Sequence, residues 1–110
     1  MKIQPQGNTL LVSELTELNA ANAGGIRDAV REVLTPRFTV LDIDLSETAF
    51  LDSSGLGALI ALHKTVATHQ GVVRILNPTP TALQILELTR LHRVFEIVQT
   101  QIPPLCEPKK

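Results

Sequence analysis

One short segment of the chain joins a strand-like run to a helix-like run and has the residue types of an anion-accepting surface. Its sequence is Asp52-Ser53-Ser54-Gly55-Leu56-Gly57. At the start of a helix, free backbone N–H groups and the helix dipole favour negative charge. Ser53 is placed to cap that helix by accepting from the N–H of Gly55 or Leu56. A phosphate on Ser53 would add about two negative charges beside Asp52.

The same segment has two interpretations. It suits a phosphorylation switch, which changes a binding surface without unfolding the domain, and it equally suits a plain capped helix. In the first interpretation Gly55 and Gly57 keep the first turn narrow, so that a large group can approach the backbone closely.

The residues of the chain support an enzymatic function less well than they support either of these two interpretations. The segment lacks the third glycine of a dinucleotide site and the lysine of a P-loop, and the chain has no G-x-S-x-G. The three histidines, His63, His69 and His92, have no cysteine or acidic partner at metal-ligand spacing. Asp44 and Asp52 lack a nucleophile to activate, and strand-end solvation explains them. We therefore expect no catalytic activity, metal or cofactor.

The composition indicates one domain with an aliphatic core. The chain has 110 residues, of which 44% are apolar and 19% charged. The net charge of −1 argues against an electrostatic nucleic-acid binder. Aromatic residues make up 3%, with no Trp or Tyr, which argues against a base-stacking surface.

The chain has the features of a cytoplasmic protein. No apolar run approaches the ~20 residues of a membrane span, and the N-terminus has no apolar core of a signal peptide. The single cysteine, Cys106, has no partner for an internal disulfide, so we expect a free thiol in a reducing compartment. We expect a monomer or weak dimer without membrane insertion.

Alternating runs predict strands and helices along the chain. Residues 2–6 and 10–12 predict two strands joined by a turn at Gly7, and residues 38–45 predict a central strand. Between them lies one helix, which Asn19 or Asn22 caps and which Thr35-Pro36 ends. Its apolar residues repeat at helical spacing: Ile26, Val30, Val33 and Leu34.

The second half continues the alternation. Residues 48–51 either extend the central strand or form the loop after it. The helix that follows ends at Gly71, and its predicted buried stripe is Leu56, Leu59, Ile60, His63 and Val66 or Ala67. Residues 72–76 predict a strand, Thr79 and Pro80 the start of a third helix, and residues 94–98 a last strand. The fold class is therefore α/β, a mixed sheet of four or five strands flanked by three or more helices. The domain would occupy residues 1–99, followed by a proline-containing tail at 100–110.

Two segments carry a resemblance to a known family. They are Leu41-Asp42-Ile43-Asp44-Leu45-Ser46 and Phe50-Leu51-Asp52-Ser53-Ser54-Gly55-Leu56-Gly57. Together they resemble the signature of STAS domains, in particular bacterial anti-sigma factor antagonists, in which a strand ending in aspartate leads into a D-S-[ST]-G-[LI]-G loop and a helix. Residues 71–78 and 86–97 are similar to later parts of the family pattern, and the resemblance covers residues 9–99 without a gap.

The resemblance implies a cycle of partner exchange. The unmodified antagonist binds an anti-sigma factor Ser/Thr kinase, which phosphorylates the serine that corresponds to Ser53, and a PPM-type phosphatase restores it. The output is control of transcription, without direct contact to nucleic acid. Ser53 would then be a substrate, and Asp52, Ser54, Gly55, Leu56 and Gly57 would line the partner surface.

Asn19 belongs to the same implied surface, although it departs from the family pattern. Where the family often has G-E-L-D, this chain has Thr16-Glu17-Leu18-Asn19. An alternative function is a non-switching STAS interaction subunit, for example of a lipid-transport ABC complex. In that case Ser53 would serve only as a cap.

Overall fold

The computed structural model describes residues 1–99, which form two β-sheets and three α-helices. The strands are β1 Lys2–Gln6, β2 Thr9–Ser13, β3 Glu17–Leu18, β4 Val40–Asp44, β5 Phe50–Leu51, β6 Val72–Leu76 and β7 Glu96–Val98. The helices are α1 Ala23–Val33, α2 Ser53–Ala67 and α3 Pro80–Leu88, with a short 3₁₀ helix at Leu91–Arg93. The predicted tail at 100–110, with Cys106, lies outside the described residues.

The larger sheet has five strands in the order β1-β2-β4-β6-β7. Strand β1 is antiparallel to β2, and the remaining neighbours are parallel. The predicted hairpin is confirmed, with Gly7 at a φ of 63° in its turn. The predicted α/β class is thus confirmed. Of the four or five strands predicted for the mixed sheet, the structure has five.

The smaller sheet is a two-stranded parallel ribbon of β3 and β5, in which Leu18 pairs with Leu51. Residues 48–51 therefore do not extend β4. A strand of two residues has no measurable period, so the sequence pattern left its pairing open.

The core lies on one face of the larger sheet. Leu10, Leu41 and Val73 share one row of the register, and Ile43 and Ile75 share the next. The helices cover this face with buried side chains: Val30, Leu59, Leu62, Val66, Ala82 and Leu86.

The buried stripe of α2 differs from the predicted one. Leu62, absent from the prediction, is 1% exposed, whereas Ala67 is exposed and Ile60 and His63 are half-buried. The reason is that α2 contacts α1, β3, β5 and β6. Its buried surface is therefore wider than one stripe.

The other face of the sheet carries an ion pair between neighbouring strands. Arg74 donates from Nε to Oδ1 of Asp42 at 2.7 Å and from Nη2 to Oδ2 at 2.8 Å. Asp42 is only 6% exposed. The hydrogen bond to Asp42 raises the pKa of the Arg74 guanidinium above its usual range. Because both carboxylate oxygens are occupied, Asp42 is a structural residue.

The helix ends are set by local chemistry. Thr79 Oγ1 accepts from Ala82 N at 3.2 Å, and Pro80 is the first residue of α3, as predicted. Asn22 precedes α1, but its side chain accepts from Asn19 N at 2.9 Å and makes no cap hydrogen bond to the helix.

No helix within residues 1–99 is long and apolar enough to cross a membrane.

Two predicted strands are shorter than expected. Strand β4 begins at Val40, two residues after Phe38, and β7 begins at Glu96. Phe95 belongs to the turn after the 3₁₀ helix, where its N–H donates to the Leu91 carbonyl at 3.0 Å. Phe38 and Phe95 are buried like strand residues, so their hydrophobicity did not distinguish a turn from a strand.

Candidate functional site

The start of α2 is capped by Asp52. Asp52 Oδ1 accepts from Gly55 N at 3.0 Å, and the backbone of Asp52 is extended with a φ of −115° and a ψ of −173°. Ser53 is the first residue of the helix, so the prediction that it forms the cap was wrong. Aspartate and serine are equally good caps. Only the position where the backbone becomes helical distinguishes them.

Asp52 also ties the helix to a loop from an earlier part of the chain. Its Oδ2 accepts from Ala20 N at 3.2 Å, and its own N–H donates to the Leu18 carbonyl at 3.1 Å. Asn19 lies on this loop, half-buried, and its Oδ1 accepts from Ala21 N at 2.9 Å. The structure therefore brings Asn19 next to the Asp52-to-Gly57 segment, from which it is distant in sequence.

The hydroxyls of Ser53 and Ser54 are exposed, and the described residues offer neither of them a hydrogen-bond partner. Their backbone N–H groups have no acceptor within residues 1–99 either. Free N–H groups at a helix start can receive phosphate oxygens. The site therefore presents an accessible hydroxyl beside donors that tolerate an anion.

The two glycines of the segment have different surroundings. A Cβ on Gly55 would lie 2.5 Å from the Leu18 carbonyl oxygen and 2.9 Å from Leu51 Cδ1. Gly55 is buried, as is Leu56 at 8% exposure. Gly57 is exposed, and a Cβ there would meet no heavy atom of the described residues within 4 Å. The exposed residues of the segment are therefore Ser53, Ser54 and Gly57, and Asp52 is half-buried.

The surroundings of the segment are acidic and partly apolar. Glu17 and Asp52 supply carboxylates, and Glu17 Oε1 accepts from Asn19 Nδ2 at 3.0 Å. Phe50, two residues before Asp52, is 52% exposed. Phe50 was not predicted as a site residue, because the two-residue strand that turns its side chain outward has no pattern that the sequence shows.

The remaining candidate residues have local structural contacts. Asp44 Oδ1 accepts from Ser46 N at 2.9 Å in the turn after β4. His63 packs edge-on against Phe95, with ring centroids 5.8 Å apart. Within residues 1–99 there is no cluster of three His, Cys, Asp or Glu side chains suited to a metal, and no pocket was found.

Comparison with known families decides the assignment of this architecture. The profile of the STAS domain matches residues 1–101. The chain belongs to the STAS domain family. The predicted resemblance to STAS domains is thereby confirmed. A relative of this STAS domain, the anti-sigma-B factor antagonist of Listeria monocytogenes, is 27% identical over 74% of this chain and 71% of that protein.

Solved structures of other proteins share the fold of this STAS domain. An anti-sigma factor antagonist from Mycobacterium paratuberculosis is 25% identical with a TM-score of 0.78, covering 90% of this chain and 84% of that one. Unphosphorylated SpoIIAA, an anti-sigma factor antagonist, is 19% identical with a TM-score of 0.78 over 90% of this chain and 88% of its own. Phosphorylated SpoIIAA of Bacillus is 19% identical with a TM-score of 0.70 over 90% and 91%.

Proposed function

We propose that this STAS domain is an anti-sigma factor antagonist that is reversibly phosphorylated on Ser53. The observation that carries the proposal is the Ser53 hydroxyl, which is exposed and makes no hydrogen bond within residues 1–99. The fold does not need this hydroxyl, because Asp52 caps the helix. The names of the relatives and the existence of SpoIIAA in a phosphorylated form support the same function.

The domain acts as a substrate in this cycle and performs no catalysis. Ser53 Oγ forms a bond to the γ-phosphorus of ATP held by an anti-sigma factor Ser/Thr kinase. The bond from that phosphorus to the β-phosphate oxygen breaks, ADP leaves, and the hydroxyl proton passes to a base on the kinase. A PPM-type phosphatase then hydrolyses the phosphoserine with water, which returns the hydroxyl and releases inorganic phosphate.

The signal is a change of charge on one surface. Phosphate takes the formal net charge of the chain from −1 to about −3. The new charge lies beside Asp52, whose oxygens are held by backbone N–H groups of Gly55 and Ala20. A kinase surface that fits the neutral serine would have to bury these added charges, which weakens the complex. The released kinase can then bind its sigma factor.

The partner surface has an outer and a supporting layer. Ser53, Ser54 and Gly57 contact the kinase directly, and Asn19 contributes from the adjoining loop. Gly55 and Leu56 are buried and support the surface by holding the start of α2 against the core. The cycle takes place in the cytoplasm, where ATP and sigma factors are found.

Phosphate transfer tests the proposal directly. Each Ser/Thr kinase of the anti-sigma type from the same organism is incubated with the protein and ATP, and the intact mass is measured. We expect a gain of about 80 Da, one phosphate group, on the wild type. Ser54→Ala should gain the same mass, and Ser53→Ala should gain none. A mass gain that persists in Ser53→Ala would show that another residue is modified.

The alternative function makes the opposite prediction for binding. In a non-switching STAS interaction subunit, for example of a lipid-transport ABC complex, Ser53→Asp would leave partner affinity unchanged. The antagonist proposal expects Ser53→Asp to bind the kinase more weakly than Ser53→Ala does. Absence of any phosphorylating kinase for the wild type would contradict the antagonist proposal.

A further inference from the structure

Gly57 is a helical glycine that the packing of the domain does not require. It lies on the exposed side of α2, and a Cβ there would meet no heavy atom of residues 1–99 within 4 Å. The φ of Gly57 is not in the left-handed region. Among the described glycines, Gly7 is the one with a positive φ. Alanine would fit this position and would stabilise the helix, because glycine loses more backbone freedom on folding.

Gly55 provides the contrast on the same helix. A Cβ on Gly55 would lie 2.5 Å from the Leu18 carbonyl oxygen, a distance that real side chains do not adopt. Contact with β3 therefore explains Gly55. No contact of this kind explains Gly57. The exposed Gly25 of α1 has equally open surroundings, so it is the place of Gly57 beside Ser53 that points to something outside the domain.

The position of Gly57 relative to Ser53 suggests what that is. The two residues are four apart in α2, so they lie on one face with Cβ positions about 5–6 Å apart. Side chains of a helix lean toward its N-terminus. Any side chain at position 57 would therefore lean over the turn that carries the Ser53 hydroxyl.

We propose that Gly57 is a specificity-determining residue for phosphoryl transfer to Ser53, because its missing side chain lets the kinase close over the first turn of α2. The inference rests on the proposed function. Transfer requires Ser53 Oγ about 3–3.5 Å from the γ-phosphorus and in line with the bond to ADP. The new P–O bond forms as the bond to ADP breaks, and the serine proton passes to a base on the kinase. A side chain at position 57 holds the two surfaces apart and prevents this alignment.

The test compares two variants at position 57 with one matched control. Gly57→Ala adds one methyl group, and Gly57→Gln adds a long polar side chain that helices accept. Ala67→Gln adds the same polar group at the last residue of α2, which is exposed and about 21 Å along the helix axis from Ser53. The measurements are the Tm of each protein and the kcat and KM of its phosphorylation, followed by intact mass.

We expect stability and phosphorylation to change in opposite directions. Gly57→Ala should raise the Tm by roughly 2–8 °C, yet lower kcat/KM about 10- to 100-fold, since a displacement near 1 Å has effects of that size. Gly57→Gln should be phosphorylated more slowly still. Ala67→Gln should match the wild type in kcat/KM.

Three results would overturn the inference. If Gly57→Gln is phosphorylated like the wild type and Ala67→Gln, the inference fails while Ser53 remains the phosphorylation site. If Gly57→Ala lowers the Tm, the glycine serves the fold. If the wild type itself receives no phosphate from any kinase, the proposed function fails together with this inference.

Discussion

The carboxylate of Asp52 joins two parts of the chain that are far apart in sequence. One oxygen accepts from Gly55 N inside α2, and the other accepts from Ala20 N in the loop before α1. Because Asp52 caps the helix, the Ser53 hydroxyl is not needed as a cap, and it makes no hydrogen bond within residues 1–99. A residue that the fold needs and the residue that we propose a partner modifies can therefore be adjacent without conflict.

Substitutions of Asp52 test this division of roles. Asp52→Ala removes both acceptors, and loss of a helix cap alone costs about 0.5–2 kcal/mol. Asp52→Asn keeps one oxygen for Gly55 N but presents an amide group instead of the acceptor for Ala20 N. We expect the order of stability in urea unfolding to be wild type, Asp52→Asn, Asp52→Ala.

Ser53→Ala is the control for this series. Its hydroxyl makes no hydrogen bond within residues 1–99, so its unfolding free energy should stay within about 0.5 kcal/mol of the wild type. A loss as large as that of Asp52→Ala would mean that Ser53 caps the helix after all.

Helix α2 lies close against the β3–β5 ribbon at Gly55. The Leu18 carbonyl oxygen and Leu51 Cδ1 occupy the space that a side chain would need there. This contact determines how the first turn of α2 is oriented, and hence where Ser53 is presented. The ribbon is short, but it positions the site.

Gly55→Ala should destabilise the protein for this reason. Forcing a methyl group into a filled space typically costs about 1–3 kcal/mol, which we expect to see as a lower Tm. The matched variant Gly57→Ala should instead be stabilised by roughly 0.5–1 kcal/mol. Equal effects of the two substitutions would contradict the contrast between the glycines.

Residues 1–99 form one hydrophobic core, to which both halves of the chain contribute. Its buried side chains run from Leu10 on β2 to Phe95 before β7, and β7 pairs with β6 at the sheet edge. On this basis we retain the proposal that the domain ends near residue 99 and that 100–110 is a tail.

Truncation tests the proposed boundary. A chain that ends at Gln99 should unfold with a free energy within about 0.5 kcal/mol of the full chain in urea. A chain that ends at Val94 should fail to fold, because it loses β7 and the buried Phe95, which is 3% exposed. A clear loss of stability after truncation at Gln99 would place part of the core beyond it.

Much of the fold could be predicted from residue types at short spacing in the sequence. The turn at Gly7, the cap at Thr79 with Pro80, and the regular runs of β6 and α3 follow from residue types at short spacing. The family signature likewise predicted the mixed sheet and the segment in which the candidate site lies. These signals depend on neighbours within a few residues, which the sequence contains directly.

Features that depend on contacts between residues far apart in sequence were determined only by the tertiary structure. The β3–β5 ribbon, the burial of Leu62 and the bond from Asp52 to Ala20 each join segments that no local period relates. The same holds for the two glycines, which look alike in the sequence. Gly55 faces the Leu18 carbonyl and Gly57 faces open space, because the packing of α2 turns one inward and the other outward.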